Sequence, residues 1–261
     1  MTLHADSYAE NTSSEFKGSE KMTVISETNI GLSRTENQDR VCTAVIDENT
    51  VLAIVCDGMG GQNAGGEASG KTAQIVFDRI TKVFRSDFDS NSIRNLLISS
   101  IKTANSVVYD MSISSSEMVG MGTTCVIALV SNNILYAVNV GDSRLYLINH
   151  EIRQVTKDHT IVMRMYENGE ITKEQLKKHP QRNYITKAVG VSNNVDPDYF
   201  EMELNENSSI LLCTDGLSNC CDEADIFNIV KKNTSAEVPK HLIEFALNNG
   251  GNDNITVAYI K

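Results

Sequence analysis

The sequence predicts an α+β fold in which one antiparallel sheet packs on another and helices cover the outside. The elements run strands, helices, strands, helices, strand, without the strict βαβ alternation of a doubly wound sheet. The central strand runs follow one another closely enough to be hairpins, which pair antiparallel. Each helical pattern shows one apolar face, and such a face needs a sheet to cover.

Taken in order, residues 1–21 are rich in Ser, Glu and Thr without apolar periodicity, so they read as a flexible tail ahead of one domain, 22–261. β-branched runs at 23–28, 41–46 and 51–56 predict three strands. Ala68, Thr72, Ile75, Val76, Ile80 and Val83 then share one helical face, and Ile93, Leu97, Ile101, Ala104, Val108 and Met111 a second. Strands are predicted at 123–130, 134–140 and 144–148, then near Tyr199 and Ser209. Two helices follow within 223–249, and a strand at 254–260 closes the chain. Between them, 157–184 is polar and irregular, longer than most internal connections, and so a candidate flap. No repeat of solenoid length and no interdomain linker interrupts this order.

Composition excludes several functions. Its 261 residues, 41% of them hydrophobic, suffice for a large core. Asp and Glu outnumber Lys and Arg by 34 to 23, which disfavours nucleic acid or an anionic membrane as partner. Neither a membrane-spanning apolar stretch nor a signal-peptide core is visible, so a cytoplasmic location is expected. The six cysteines form no C-x-x-C pair, and several sit in apolar runs; they are expected to be reduced and structural.

Two apolar runs end alike, Val51-Leu-Ala-Ile-Val-Cys-Asp57-Gly58 and Ile210-Leu-Leu-Cys-Thr-Asp215-Gly216, each placing a carboxylate at the mouth of a buried strand. Asp253 stands just before the last strand, and Asp39 just before the strand that starts at Val41. Any one Asp-Gly could simply be a tight turn. Gathered at one edge of a core, however, carboxylates repel each other and lose hydration, and hard cations would keep them ionised. Oxygen donors without clustered His or Cys suit Mg²⁺ or Mn²⁺ rather than zinc. A pair of such ions fits the demands of phosphate-monoester hydrolysis, and Arg34 could add a bidentate fork for the phosphate. Competing with this, Gly65 to Thr72 matches the P-loop pattern G-x-x-x-x-G-K-T. Eight residues, 57–64, separate it from its strand, so it reads better as the small-residue start of a helix. A dinucleotide fingerprint is weaker still, because Asn63 stands where its third glycine belongs.

Eight motifs in order, Arg34-Thr-Glu-Asn-Gln-Asp39-Arg, Asp57-Gly-Met-Gly-Gly61, Gly122-Thr-Thr124, Gly141-Asp-Ser-Arg144, Asp158-His159, Ile185-Thr-Lys-Ala-Val-Gly190, Thr214-Asp-Gly-Leu217 and Gly251-Asn-Asp-Asn-Ile-Thr256, closely resemble the bacterial PPM-type, or type-2C, metal-dependent protein phosphatases. The resemblance spans about 22–261. It implies a four-layer αββα sandwich, two divalent cations (Mn or Mg), and hydrolysis of protein phosphoserine and phosphothreonine by metal-activated water, opposing a partner Ser/Thr kinase. By the same resemblance, Asp57 would bridge both ions, with the Gly58 carbonyl completing one coordination sphere. Asp215 and Asp253 would hold one ion, Asp39 would act through water, and Arg34 would bind the phosphate. Asp142 matches the position that, with Asp215, binds a third and weaker ion; its plainer reading is a hairpin turn. Met59 departs from family members that carry His there as a proposed general acid. His159 is assigned no catalytic role. A catalytically silent binding module of the same fold is the alternative, disfavoured because every core ligand position is filled.

Overall fold

The computed structural model describes residues 22–60, 64–176 and 178–261, so the expected tail at 1–21 lies outside the described residues. The elements are β1 Val24–Asn29, β2 Asp39–Asp47, β3 Thr50–Met59, α1 Ala64–Val83, α2 Ser90–Ser114, β4 Gly122–Thr123, β5 Cys125–Ser131, β6 Ile134–Val140 and β7 Arg144–Ile148. After these come β8 Ile152–Gln154, α3 Ile161–Glu167, α4 Lys173–Leu176, β9 Asp198–Glu203, β10 Ser209–Cys213, α5 Asp215–Ser218, α6 Glu223–Lys232, α7 Val238–Asn248 and β11 Ile255–Ile260. One sheet has the order β1-β11-β10-β7-β8, the other β2-β3-β5-β6-β9 with β4 beside β3, and every pairing is antiparallel.

Strand periodicity sorts the core into layers. On β3, Val51, Ala53 and Val55 face Leu145, Leu147, Ile210, Leu212 and Ala258 of the other sheet. The alternate residues Leu52, Ile54 and Cys56 face α1 and α2, through Ala68, Val76, Ile80, Leu97 and Ile101. A third cluster joins Leu211, Cys213, Val257 and Tyr259 to Ile226, Leu242, Ile243 and Ala246 on α6 and α7. Strands covered on both faces read as continuous apolar runs, and all six residues from Val51 to Cys56 are fully buried. Burying each Leu or Ile so completely stabilises the fold by about 1.5–3 kcal/mol. The result is α1/α2, sheet, sheet, α6/α7, the four-layer αββα order. Helix ends are set locally: Asp89 caps α2 by accepting from Ser92 N at 2.8 Å, and Asp222 and Asp225 form a capping box on α6.

Several expectations need correction. Asp39 does not precede its strand but opens β2, and β3 continues past Asp57 to Met59. Neither Asp-Gly is a turn, since Asp57-Gly58 is strand and Asp215-Gly216 opens α5. The run expected as one strand at 123–130 is split into β4 and β5, because Thr123 and Thr124 bond to the backbone of Asp57 instead of extending a single ladder. Val83 is exposed and does not join the buried face of α1. The segment 157–184 holds two short helices, α3 and α4, the first capped by Thr160. Gly65 to Thr72 lies inside α1, so the residues that would have to form the loop of a phosphate cradle are wound into helix from the start. No helix among the described residues is long and apolar enough to cross a membrane.

Candidate active site

Antiparallel registers bring the motif-bearing strand ends to one end of the sandwich. Asp39 at the start of β2 lies directly across from Asp57 near the end of β3. In the other sheet, Cys213 at the end of β10 pairs with Val257 of β11 and with Arg144 of β7. Asp57 is held by its backbone: its N–H donates to Thr124 Oγ1 at 2.9 Å, and its carbonyl accepts from Thr124 N at 2.9 Å and Thr123 Oγ1 at 2.8 Å. Gly58 must be glycine, because a Cβ there would overlap the Gly65 carbonyl at the start of α1 and crowd the Gln38 carbonyl.

From the second sheet come Asp215, the first residue of α5, and Asp253, two residues before β11. Thr214 ties the sheets together, donating from Oγ1 to Asp39 Oδ2 at 2.9 Å and accepting from Thr256 N at 3.0 Å. Asn254 is buried and makes three bonds to the loop that carries Arg34. It donates to Ile30 O (2.9 Å) and Glu36 O (3.0 Å) and accepts from Gln38 N (2.8 Å). Arg34 itself is exposed at the rim, its Nη2 2.8 Å from Asp253 Oδ2.

Asp142 sits in the turn between β6 and β7, which carries the chain from one sheet to the other and so is not the hairpin turn that the strand spacing suggested. Ser143 bonds Thr124 at 2.7 Å, linking this turn to the residue that holds Asp57. Arg144 forks onto Asp158, Nη2 to Oδ2 at 2.7 Å and Nε to Oδ1 at 3.0 Å. Beside Asp142 and Asp215 opens a cleft of about 490 Å³, walled by Thr160, Val162 and Met163 of the α3 segment and by Ser218 at the end of α5 with Asn219 and Cys220 after it.

The electrostatics are those of crowded carboxylates. Burial first, then the charges of Asp39, Asp215, Asp142 and Asp253, push Asp57 well above the ordinary carboxylate range. Burial raises Asp39 to about 7 and Asp142 to about 8, each aided by the charge of Asp215. Asp215 rises too, through burial and the charge of Asp253. Asp39 Oδ1 and Asp142 Oδ1 are buried with no hydrogen-bond partner. Desolvated, mutually repelling, all-oxygen groups with unpartnered buried oxygens match the needs of hard divalent cations. The donors do not form a closed cage: among the described residues, no three His, Cys, Asp or Glu side chains are grouped to hold one ion. Asp253 is turned to Arg34, Asp39 to Thr214, and Asp215 to Asn219 at 3.1 Å, so rotamer changes must accompany ion binding.

All of Asp39, Asp57, Gly58, Asp142, Asp215, Asp253 and Arg34 thus fall at this one end, with mutual charge effects reaching from Arg34 to Asp57 and Asp215. Sequence reasoning gave no role to Thr124, Thr214 or Asn254. Their signal was adjacency, since each lies within a motif next to a named carboxylate or packs on its backbone, but only the cross-sheet bonds reveal what they do. The six cysteines are all free, with Cys42 and Cys220 only half-buried.

The family model for protein phosphatase 2C matches residues 33–246. A serine/threonine phosphatase, stp, of Listeria monocytogenes serotype 4b is 36% identical over 236 residues, covering 90% of this chain and 93% of that one. The solved serine/threonine phosphatase Stp1 from Staphylococcus aureus superposes with a TM-score of 0.86 at 35% identity, over 92% of this chain and 94% of that one. The catalytic domain of the serine/threonine phosphatase PstP, solved with two manganese ions, gives a TM-score of 0.80 at 30% identity, over 92% and 98%. With two antiparallel sheets between helices, carboxylates drawn from both sheets to one end, and these likenesses running nearly the full length, the chain belongs to the protein phosphatase 2C family.

Proposed function

We infer that the protein is a metal-dependent protein phosphatase acting on phosphoserine and phosphothreonine, with two divalent cations of the Mg²⁺ or Mn²⁺ class and a Ser/Thr kinase as its opposing partner. The observation that carries this reading is the meeting of Asp39 and Asp57 from one sheet with Asp215 and Asp253 from the other, under an arginine at the rim. Asp57, Asp215 and Asp253 would hold the ions, with the Gly58 carbonyl and Asp39 beside them, and Asp142 with Asp215 would take a third. Bound there, such ions supply Lewis-acid polarisation of water and of phosphoryl oxygens.

The chain's own residues do the rest. Arg34 retains free N–H donors beyond the one on Asp253, enough to fork onto a phosphate arriving from solvent. Asn254 fixes the loop behind it, which limits the entropy lost when the phosphate docks. Thr123 and Thr124 fix the Asp57 backbone, so its carboxylate swings about one anchored Cα. Met59 has no proton to give, so the departing serine or threonine oxygen is protonated from water.

Incubating the protein with a phosphothreonine peptide and Mn²⁺ should release inorganic phosphate, and an excess of chelator should stop it. Asp57→Asn should slow release by roughly a thousandfold or more, the scale of losing a central electrostatic group. It should leave the melting temperature of the metal-free protein unchanged or raised, because a buried carboxyl that burial and its neighbours oppose ionising is replaced by a neutral amide. A variant that keeps near-native release contradicts the assignment.

A further inference from the structure

The Gly141-Asp142 turn is gripped from one side by a histidine that has no place in the chemistry above. Gly141 N donates to His159 Nδ1 at 3.0 Å, and the Gly141 carbonyl accepts from His159 N at 3.0 Å. Asn139 Nδ2 adds a 3.2 Å bond to the same carbonyl. The turn is glycine-specific, with φ of +108° and a Cβ position that Thr124 already fills. An imidazole nitrogen that accepts an N–H carries no proton, so the neutral ring holds its proton on Nε2. That nitrogen lies 3.1 Å from Asp198 Oδ2 but is not aligned for a hydrogen bond, so the contact is one of charge, and Asp198 is in turn 3.1 Å from Lys187 Nζ through Oδ1. The nearby Asp158 is engaged by Arg144 and Gln154 and makes no bond to the ring.

We propose that His159 is a positioning residue for Asp142: its bare Nδ1 holds the Gly141 amide and aims the following carboxylate into the cleft beside Asp215, while the charge of Asp198 beside Nε2 favours the form with the proton there. The proposal rests on the reading of Asp142 as a ligand of the third ion. It follows the rule that groups behind a ligand orient it, and that removing one typically lowers metal affinity or activity by 10- to 100-fold. A histidine that merely filled space would need no acceptor at Nδ1, and any isosteric ring would serve.

Four variants test this, three by calorimetric Mn²⁺ titration of purified protein and one, beside the parent, by NMR of the metal-free protein as the independent readout. His159→Phe keeps the ring and removes both nitrogens; the weakest Mn²⁺ dissociation constant should rise roughly tenfold. His159→Asn places an amide oxygen where Nδ1 was, and should restore affinity to within about threefold of the parent, since the acceptor is what matters. Asp142→Ala should abolish the weakest binding event. In the parent, nitrogen spectra should show His159 as the Nε2–H form, and Asp198→Ala should shift it toward a mixture of forms. Loss in Asp142→Ala with none in His159→Phe overturns the positioning role alone, as does a parent His159 protonated at Nδ1. No loss in either variant removes the third-ion reading and the proposal with it. Should His159→Phe not fold, the Asp198→Ala and His159→Asn arms decide the same question.

Discussion

At the scale of single residues, the site depends as much on uncharged side chains as on carboxylates. Asn254 is the clearest case: one amide satisfies two carbonyls and one N–H on a loop more than two hundred residues away in sequence. Truncating it leaves three polar backbone groups of a partly buried loop to find new partners, and each unsatisfied group costs about 1–3 kcal/mol. Asn254→Ala should therefore lower stability by roughly 2–4 kcal/mol, measurable in urea. The same change should raise KM for a phosphopeptide more than it lowers kcat, because the loop it frees presents Arg34 to the ground-state phosphate. Arg34→Ala supplies the contrast, since an exposed pair such as Arg34 and Asp253 is worth at most about 1 kcal/mol, and that variant should raise KM with a stability loss no larger than that. Equal stability losses in the two variants would sink the assignment of Asn254 as the loop's anchor.

At the scale of elements, the two Asp-Gly pairs show how far the sequence could be read. The matching apolar runs into Asp57 and Asp215 announced buried strands with carboxylates at their ends, and both lie where the runs placed them. The course of the chain beyond each glycine was not legible, because it is decided by a segment remote in sequence. Gly58 extends a strand under the start of α1, while Gly216 lies inside α5 with its Cα against the Asn254 carbonyl. Likewise β8, with three residues, and α5, with four, are too short to leave a period, and α5 depends on contacts with β11 and α7 rather than on its own propensity. The amphipathic faces of α1 and α2 were legible because burial against a wide sheet imposes 3.6-residue spacing over many turns. Val83, the last residue of α1, broke that pattern, and the buried place at the helix end is taken by Phe84 instead. A prediction belongs to this scale: Gly216→Ala puts a Cβ into the Asn254 carbonyl and should cost roughly 2–3 kcal/mol while displacing Asp215. Thermal melts and Mn²⁺ titration of that variant check both parts, and a variant with native melting and native Mn²⁺ affinity refutes the close packing of α5 on the β11 entry.

At the scale of the whole molecule, the fold holds together at one end a set of like charges that it cannot neutralise by itself. Asp39 is pushed up to about 7 and Asp142 to about 8, both chiefly by burial, while the unfolded chain holds such groups near 4. A raised native value means that the folded state retains protons which the unfolded state has released, so the slope of stability with pH is negative across that window. In chelator, stability contributed by these groups is complete below about pH 4 and is lost as pH rises toward 8. The metal-free protein should therefore melt lower at pH 8 than at pH 5, by about 2–4 °C for each kcal/mol lost in a domain of this size. Divalent cations act in the opposite sense, since they bind the ionised ligands and release the remaining protons. Mn²⁺ at a hundred times its dissociation constant should add about 2.7 kcal/mol of stability, and the gain over chelator should grow from pH 5 to pH 8. Differential scanning calorimetry at four pH values, with chelator and with Mn²⁺, separates this from a general charge effect, because the net charge of −11 would also destabilise the protein as pH rises but would be screened equally by NaCl. A metal-free melting temperature that stays level or climbs over this range, or a Mn²⁺ gain that NaCl of equal ionic strength reproduces, would show that the clustered carboxylates are not what the cations relieve.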